Sequence, residues 1–259
     1  MNIAADRPPH MKVMGSKVHL LQMSEVLGRI ECWIQERGAT RYIVATGMHG
    51  VMEAHRDPEF KEIVNSADLF VPDGISLVWI GRVRGYSIRK RVSGSDLMTE
   101  FFKLAAEKGY KVYFYGDTDE TLNLLQSTLK EKLPNLQIAG AYSPPFRPLS
   151  DEEDREIVKA INGSGADVLW VGLGLPKQER WLFEHRDKIN VPVAVGVGAA
   201  FKFQSGQVRR APRWIGELGF EWLWRFCREP KRVWRRVLLD GPRFAGNVIL
   251  EMSKLKKFE

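Results

Sequence analysis

Hydrophobic and polar positions follow two different rhythms along this 259-residue chain. From Arg41 to Gly198, short β-rich apolar runs alternate with amphipathic stretches, which is the pattern of a parallel sheet joined by crossover helices. Strands are predicted at Tyr42–Ala45, Asp68–Val71, Lys111–Tyr115, Gln137–Ala139, Val168–Val171 and Val193–Val197, with helices between them. Ahead of these, the weak alternation of Lys12–Leu21 predicts a hairpin at the edge, and a helix follows from about Ser24 to Arg37. Ser150 and Glu153 form a capping box before Ile157, Val158 and Ile161, and Pro176 suits the first turn of a helix carrying Trp181 and Leu182. The expected class is α/β, with residues 1–208 as the core.

Beyond Val208 the rhythm changes. Ile215, Leu218, Trp222, Leu223 and Phe226 share one apolar helical face. Arg225, Arg228, Arg232 and Arg235 step by three or four residues and can form a basic stripe, although Pro230 is better placed to start a second helix than to continue the first. Residues 1–208 carry 26 basic and 26 acidic side chains, so the whole formal charge of +7 resides in 209–259. Four of the eight tryptophans lie there too. A basic amphipathic segment with tryptophan suits an anionic membrane surface; packing on the core and binding nucleic acid are the competing readings.

Composition narrows the remaining classes. Cys32 and Cys227 are far apart and lack CxxC spacing, which argues against a disulfide framework or a zinc site and favours a reducing, cytosolic setting. Met1–His10 has no apolar signal region, and no run approaches ~18 apolar residues, so neither export nor a membrane span is expected.

The candidate chemistry gathers where predicted strands end, the usual ligand edge of a parallel sheet. Thr46-Gly47-Met48-His49-Gly50, Pro72-Asp73-Gly74, Gly172-Leu173-Gly174 and Gly196-Val197-Gly198 all follow strands. Their glycines let backbone amides approach a phosphate, so a nucleotide-type ligand fits. Gly172-x-Gly174 and Gly196-x-Gly198 match only half of a dinucleotide fingerprint, and tight turns explain them equally well. Asp73 can take a proton from a hydroxyl or cap the next helix. Arg91 can grip phosphate and Gln178 can hydrogen-bond sugar hydroxyls, or both can simply be solvated. Asp117-Thr118-Asp119 has the form of a metal-binding DxD, but its place opening a helix favours capping, and no metal is expected.

Taken in order, Pro72-Asp73-Gly74, Arg91-Val92-Ser93-Gly94-Ser95-Asp96-Leu97, Val171-Gly172-Leu173-Gly174-Leu175-Pro176-Lys177-Gln178-Glu179, Gly196-Val197-Gly198-Ala199 and the tail motif Arg210-Ala211-Pro212…Glu221-Trp222-Leu223-Trp224-Arg225…Glu229-Pro230…Arg232 resemble the WecG/TagA/CpsF glycosyltransferases, over residues 12 to 245. The resemblance implies a Rossmann-like, mostly parallel sheet with flanking helices and a C-terminal helical appendage. It implies inverting transfer of a sugar, HexNAc-type or related, from a UDP-sugar to a polyprenyl-diphosphate-linked sugar in cell-surface polysaccharide or teichoic acid synthesis. The protein would sit peripherally on the inner membrane face, possess no cofactor or metal, and allow a homo-oligomer.

By the same resemblance Asp73 matches the general base, and Thr46, Arg91 and Gln178 match donor-pocket positions, beside Gly172, Gly174, Gly196 and Gly198. Arg225, Arg232 and Arg235 match appendage arginines that close over the site and neutralise the diphosphate. Many members have asparagine two residues after the threonine; here it is Met48, whose thioether lacks the amide's hydrogen-bonding groups. That leaves the donor open among N-acetylmannosamine-type sugars, glucose and a uronic acid. The rival functions are a nucleic-acid-binding protein and an NAD-dependent enzyme.

Overall fold

The computed structural model describes residues 8–209, 211, 215, 221–228 and 230–258. Its first elements are an antiparallel hairpin, β1 (His10–Val13) with β2 (Ser16–His19), and helix α1 (Met23–Glu36). There follow β3 (Arg41–Thr46), α2 (Met48–Arg56), α3 (Pro58–Asn65), β4 (Leu69–Pro72), α4 (Ile75–Val83) and α5 (Gly94–Lys108). The second half holds β5 (Lys111–Gly116), α6 (Asp119–Lys132), β6 (Gln137–Tyr142), α7 (Asp151–Gly163), β7 (Val168–Gly172), α8 (Lys177–His185), β8 (Val193–Gly196) and α9 (Ala200–Gln204). The C-terminal segment adds α10 (Glu221–Arg228), α11 (Pro230–Arg235), a π-helical turn (Arg236–Asp240) and α12 (Gly241–Met252).

Six strands form one all-parallel sheet in the order β4-β3-β8-β7-β5-β6. Each predicted strand appears within a residue or two, except β6, which runs three residues further to Tyr142. Alternation along β3 shows how the sheet is covered. Tyr42 and Val44 join a core with Phe60, Trp181 and Phe244, whereas Ile43 and Ala45 join an opposite one with Trp33, Phe101 and Trp170. Helices therefore cover both faces, and the central strands can be apolar at every position.

Local signals explain the helix starts. Ser150 and Glu153 form the reciprocal capping box of α7, Ser93 accepts from Asp96 N to cap α5, and Thr118 accepts from Thr121 N to cap α6. Thr118 is thus a helix cap within the DxD-like triplet. Pro176 occupies the N-cap of α8, one position before the first turn. Asp68 accepts from Tyr42 N at 2.9 Å and from Arg41 Nη1 at 3.0 Å, the structural role expected for a carboxylate at the strand's starting edge.

The described helices α10 and α11 flank Glu229, which lies outside the described residues together with the expected break before Pro230. In α10, Trp222 and Leu223 are exposed and Phe226 is half-buried, so the apolar face anticipated there is not packed into the core. Leu218 of that face lies outside the described residues. Helix α12 behaves differently: Phe244 and Val248, one turn apart, are buried in the same core as Tyr42 and Trp181. No helix among the described residues is long and apolar enough to cross a membrane.

Candidate active site

A cleft of about 720 Å³ opens over the carboxyl ends of β3, β4, β7 and β8. Adjacent parallel strands bring their end loops together whatever their separation in sequence. Thr46 pairs with Pro72 across β3 and β4, and Asp73 N donates to Thr46 O at 3.0 Å. Val92 N donates to Pro72 O at 2.9 Å, which lays the Arg91 loop against the same strand end. Thr46, Asp73 and Arg91, distant in the chain, thereby line one cavity. Helix α4 has Gly74 as its N-cap residue, without a side-chain cap, and Asp73 stands one residue ahead of it.

Glycine permits this crowding. A Cβ on Gly47 would lie 2.9 Å from Gly74 Cα, so the two loops touch backbone to backbone. Gly174 and Gly198 also line the cleft, at φ of 78° and 55°. Gly172 and Gly196 are not part of the lining: added Cβ atoms would meet the Phe201 ring at 2.7 Å and Gln178 at 3.2 Å. Those two glycines make room for packing beneath the loops. The loop after β5 is also elsewhere, with Asp117 Oδ1 receiving Thr118 N and standing 3.6 Å from Lys202 Nζ.

Gln178 is only 2% exposed. Its Oε1 accepts from Gly198 N at 2.8 Å and from Gly174 N at 3.2 Å, and its Nε2 donates to Glu179 Oε1 at 2.8 Å. The amide clasps the loops after β7 and β8 to each other, which is a positioning job in addition to any contact with a sugar. Glu179 Oε2 has no hydrogen-bond partner among the described residues, and burial pushes this carboxyl up to about 7. Near neutral pH this carboxyl at the base of the cleft is therefore shared between its protonated and ionised forms.

The opposite wall comes from the C-terminal segment, through Trp222, Val233, Arg236, Val237, Gly241 and Pro242. Asp240 fastens this wall to α2: its Oδ1 accepts from Arg56 Nη2, and its Oδ2 lies 4.0 Å from His49 Nδ1. Burial, assisted by the charge of Arg236, lowers His49 to about 4, so its imidazole is neutral at neutral pH. Arg235 is exposed and sits over the Trp234 ring at 5.4 Å rather than in the lining; among the described residues, Arg236 is the arginine this wall presents. The side chains of Arg225 and Arg232 lie outside the described residues.

A carboxylate, a hydroxyl, strand-end amides and arginines on facing walls suit group transfer from a phosphate-bearing donor. The model of the glycosyl transferase WecG/TagA/CpsF family matches residues 11–258, both walls included. The chain belongs to this family. Among WecG/TagA/CpsF relatives, the N-acetylglucosaminyldiphosphoundecaprenol N-acetyl-beta-D-mannosaminyltransferase of Bacillus spizizenii (strain ATCC 23059 / NRRL B-14472 / W23) is 30% identical over 228 residues, covering 88% of this chain and 86% of that protein. The enzyme of the same name from Bacillus subtilis (strain 168) is 31% identical over 206 residues, 79% of this chain and 77% of that one. That of Staphylococcus aureus (strain MW2) is 30% identical over 216 residues, covering 83% and 82%. The protein is thus a WecG/TagA/CpsF glycosyltransferase. Sequence reasoning passed over His49, Trp79, Glu179 and Arg236 in its cleft; Glu179 directly follows Gln178, but its burial has no signature in the chain.

Proposed function

We propose that the protein transfers a sugar with inversion from a UDP-sugar to a sugar carried on a polyprenyl diphosphate, in the synthesis of a cell-envelope polymer. The observation that carries this reading is the convergence of Asp73, Thr46 and Arg91 in one cleft whose facing wall presents Arg236. Asp73 takes the proton of the acceptor hydroxyl as that oxygen bonds to the donor's anomeric carbon. The bond from that carbon to the diphosphate breaks on the opposite face, and UDP leaves with the electron pair. Arg91 and Arg236, joined by the appendage residues Arg225 and Arg232, stabilise the growing charge, a task guanidinium groups perform without a metal or other cofactor. Gln178 and Glu179 hold the β7 and β8 loops in register with the donor.

The relatives named above add an N-acetylmannosamine-type donor and an N-acetylglucosaminyl-diphosphoundecaprenol acceptor to this proposal. Met48 lines the cleft beside Thr46, so donor choice is read there by apolar contact. The protein would work on the inner face of the cell membrane, bound peripherally through its basic C-terminal segment. The test is Asp73→Asn in a transfer assay with a panel of UDP-sugars, alongside UDP binding. Turnover should fall about 10²–10⁴-fold with UDP affinity nearly unchanged; near-full activity in the variant would remove Asp73 as the base.

A further inference from the structure

Helices α4 and α12 both reach the cleft and are joined at their far ends. At the cleft, Trp79 of α4 and Gly241 and Pro242 of α12 share the lining. At the far end Arg84 Nη2 donates to Glu251 Oε2 at 2.6 Å, and Met14 N donates to Glu251 Oε1 at 3.0 Å. The inward sides of the two helices are buried, through Leu77 and Ile80 on one and Phe244 and Val248 on the other. Their outward sides are apolar as well. Trp79 is 49% and Val83 70% exposed, and with Arg82 they follow the i, i+3, i+4 spacing of one helical face, while Tyr86, 41% exposed, lies just past the helix end beyond Gly85. On α12 and just beyond it, Ile249 is 66% and Leu255 78% exposed.

An apolar face of this kind on two neighbouring helices marks an interaction surface. Its border is basic: Arg89, Lys90, Arg243, Lys254, Lys256 and Lys257 are all exposed. A second copy of the chain docked here about a two-fold axis would bring these like charges together. An anionic lipid surface instead accepts apolar side chains, tryptophan and tyrosine at the boundary, and a basic rim at the headgroups. Trp79 belongs both to this face and to the cleft, so the two are continuous.

We infer that the outward face of α4 and α12 is the surface on which the protein lies against an anionic bilayer, with the cleft opening at headgroup level beside Trp79. The inference rests on the transfer proposed above and assigns a helix of the sheet domain, as well as the C-terminal segment, to the membrane contact. The test uses the full chain carrying Val83→Glu, Ile249→Glu or both, at positions outside the cleft lining. Binding is measured to phosphatidylglycerol and to phosphatidylcholine vesicles, with sedimentation equilibrium for self-association and transfer to a water-soluble acceptor of shortened lipid.

The wild type should bind phosphatidylglycerol vesicles preferentially, each single variant should bind at least about tenfold more weakly, and transfer to the soluble acceptor should stay within about twofold. Wild-type binding by Val83→Glu would remove α4 from the surface and overturn the inference. So would a dimeric wild type that Val83→Glu converts to a monomer without loss of vesicle binding. A wild type that binds as expected yet transfers to neither soluble nor lipid acceptor would sink the functional reading while supporting the surface assignment.

Discussion

The two walls of the cleft are built on different principles. The sheet wall is made of backbone: Asp73 N to Thr46 O, Val92 N to Pro72 O, and the Gln178 amide across Gly174 and Gly198 lock loop to loop. The C-terminal wall is made of side chains, held by Asp240 on Arg56 and by Phe244 and Val248 sunk into the core. A carboxylate that must meet one acceptor hydroxyl benefits from the stiffer mounting. A guanidinium that neutralises a diphosphate acts at longer range and tolerates a wall fastened at fewer points.

That contrast can be broken in steps. The largest effect is expected at the sheet wall, where Asp73→Asn removes the proposed proton acceptor with the turnover loss given above. Arg236→Ala should come next, lowering kcat by about 10²-fold, the scale of losing one charge-stabilising donor, with little change in KM for the sugar nucleotide. An unaltered kcat would transfer the charge-neutralising role to other arginines. Phe244→Ala should cost about 3 kcal/mol and lower the thermal midpoint, because it leaves a cavity in a core shared with the sheet. An unchanged midpoint would show that α12 contributes nothing to the common fold.

Glu179→Gln tests the base of the cleft through pH. The carboxyl titrates near the ordinary glutamate value of 4.5 in the unfolded chain and near 7 in the folded one, so the folded state binds the proton more tightly between those values. Its stabilising contribution is complete below about 4.5 and is lost as pH rises towards 7, on the order of 3 kcal/mol in all. His49, lowered to about 4, works in the opposite sense and destabilises the fold as pH falls below 6.5. The stability of Glu179→Gln relative to the wild type should therefore grow from pH 4.5 to 7. A constant difference across that window would show that the carboxyl is not held protonated.

The smallest effect belongs outside both walls. Asp117→Asn keeps an oxygen for Thr118 N and suits the residue's φ of 57°, so transfer should change less than about twofold, with or without a chelator. A large loss reversed by added metal would restore the DxD reading.

The strands were legible because burial on both faces demands long apolar runs, and their caps were legible because Ser93, Thr118 and Ser150 act within one helical turn. The strand-end loops were legible too, since a parallel sheet places chemistry at its carboxyl edge. The chain did not disclose which of those loops share a cavity: the β5 loop, with its Asp117, also follows a strand, and the order β4-β3-β8-β7-β5-β6 is what sets it apart. Nor did it separate Gly174 and Gly198, on the lining, from Gly172 and Gly196 beneath it.

In the tail, the sequence revealed the concentration of charge, a matter of composition. Whether a given arginine reaches the cleft depends on helix phase and on where the segment is tethered. Those come from Asp240 meeting Arg56, and from Phe244 and Val248 meeting the core. By itself, then, the sequence determined the sheet, the caps and the electrostatic split of this protein, since short-range propensity and binary pattern encode them. Only the tertiary structure decided that Gln178 serves as a clasp, that Glu179 is buried with its carboxyl raised by desolvation, and that Arg236 enters the wall while Arg235 stacks outside, because each depends on how the folded chain packs.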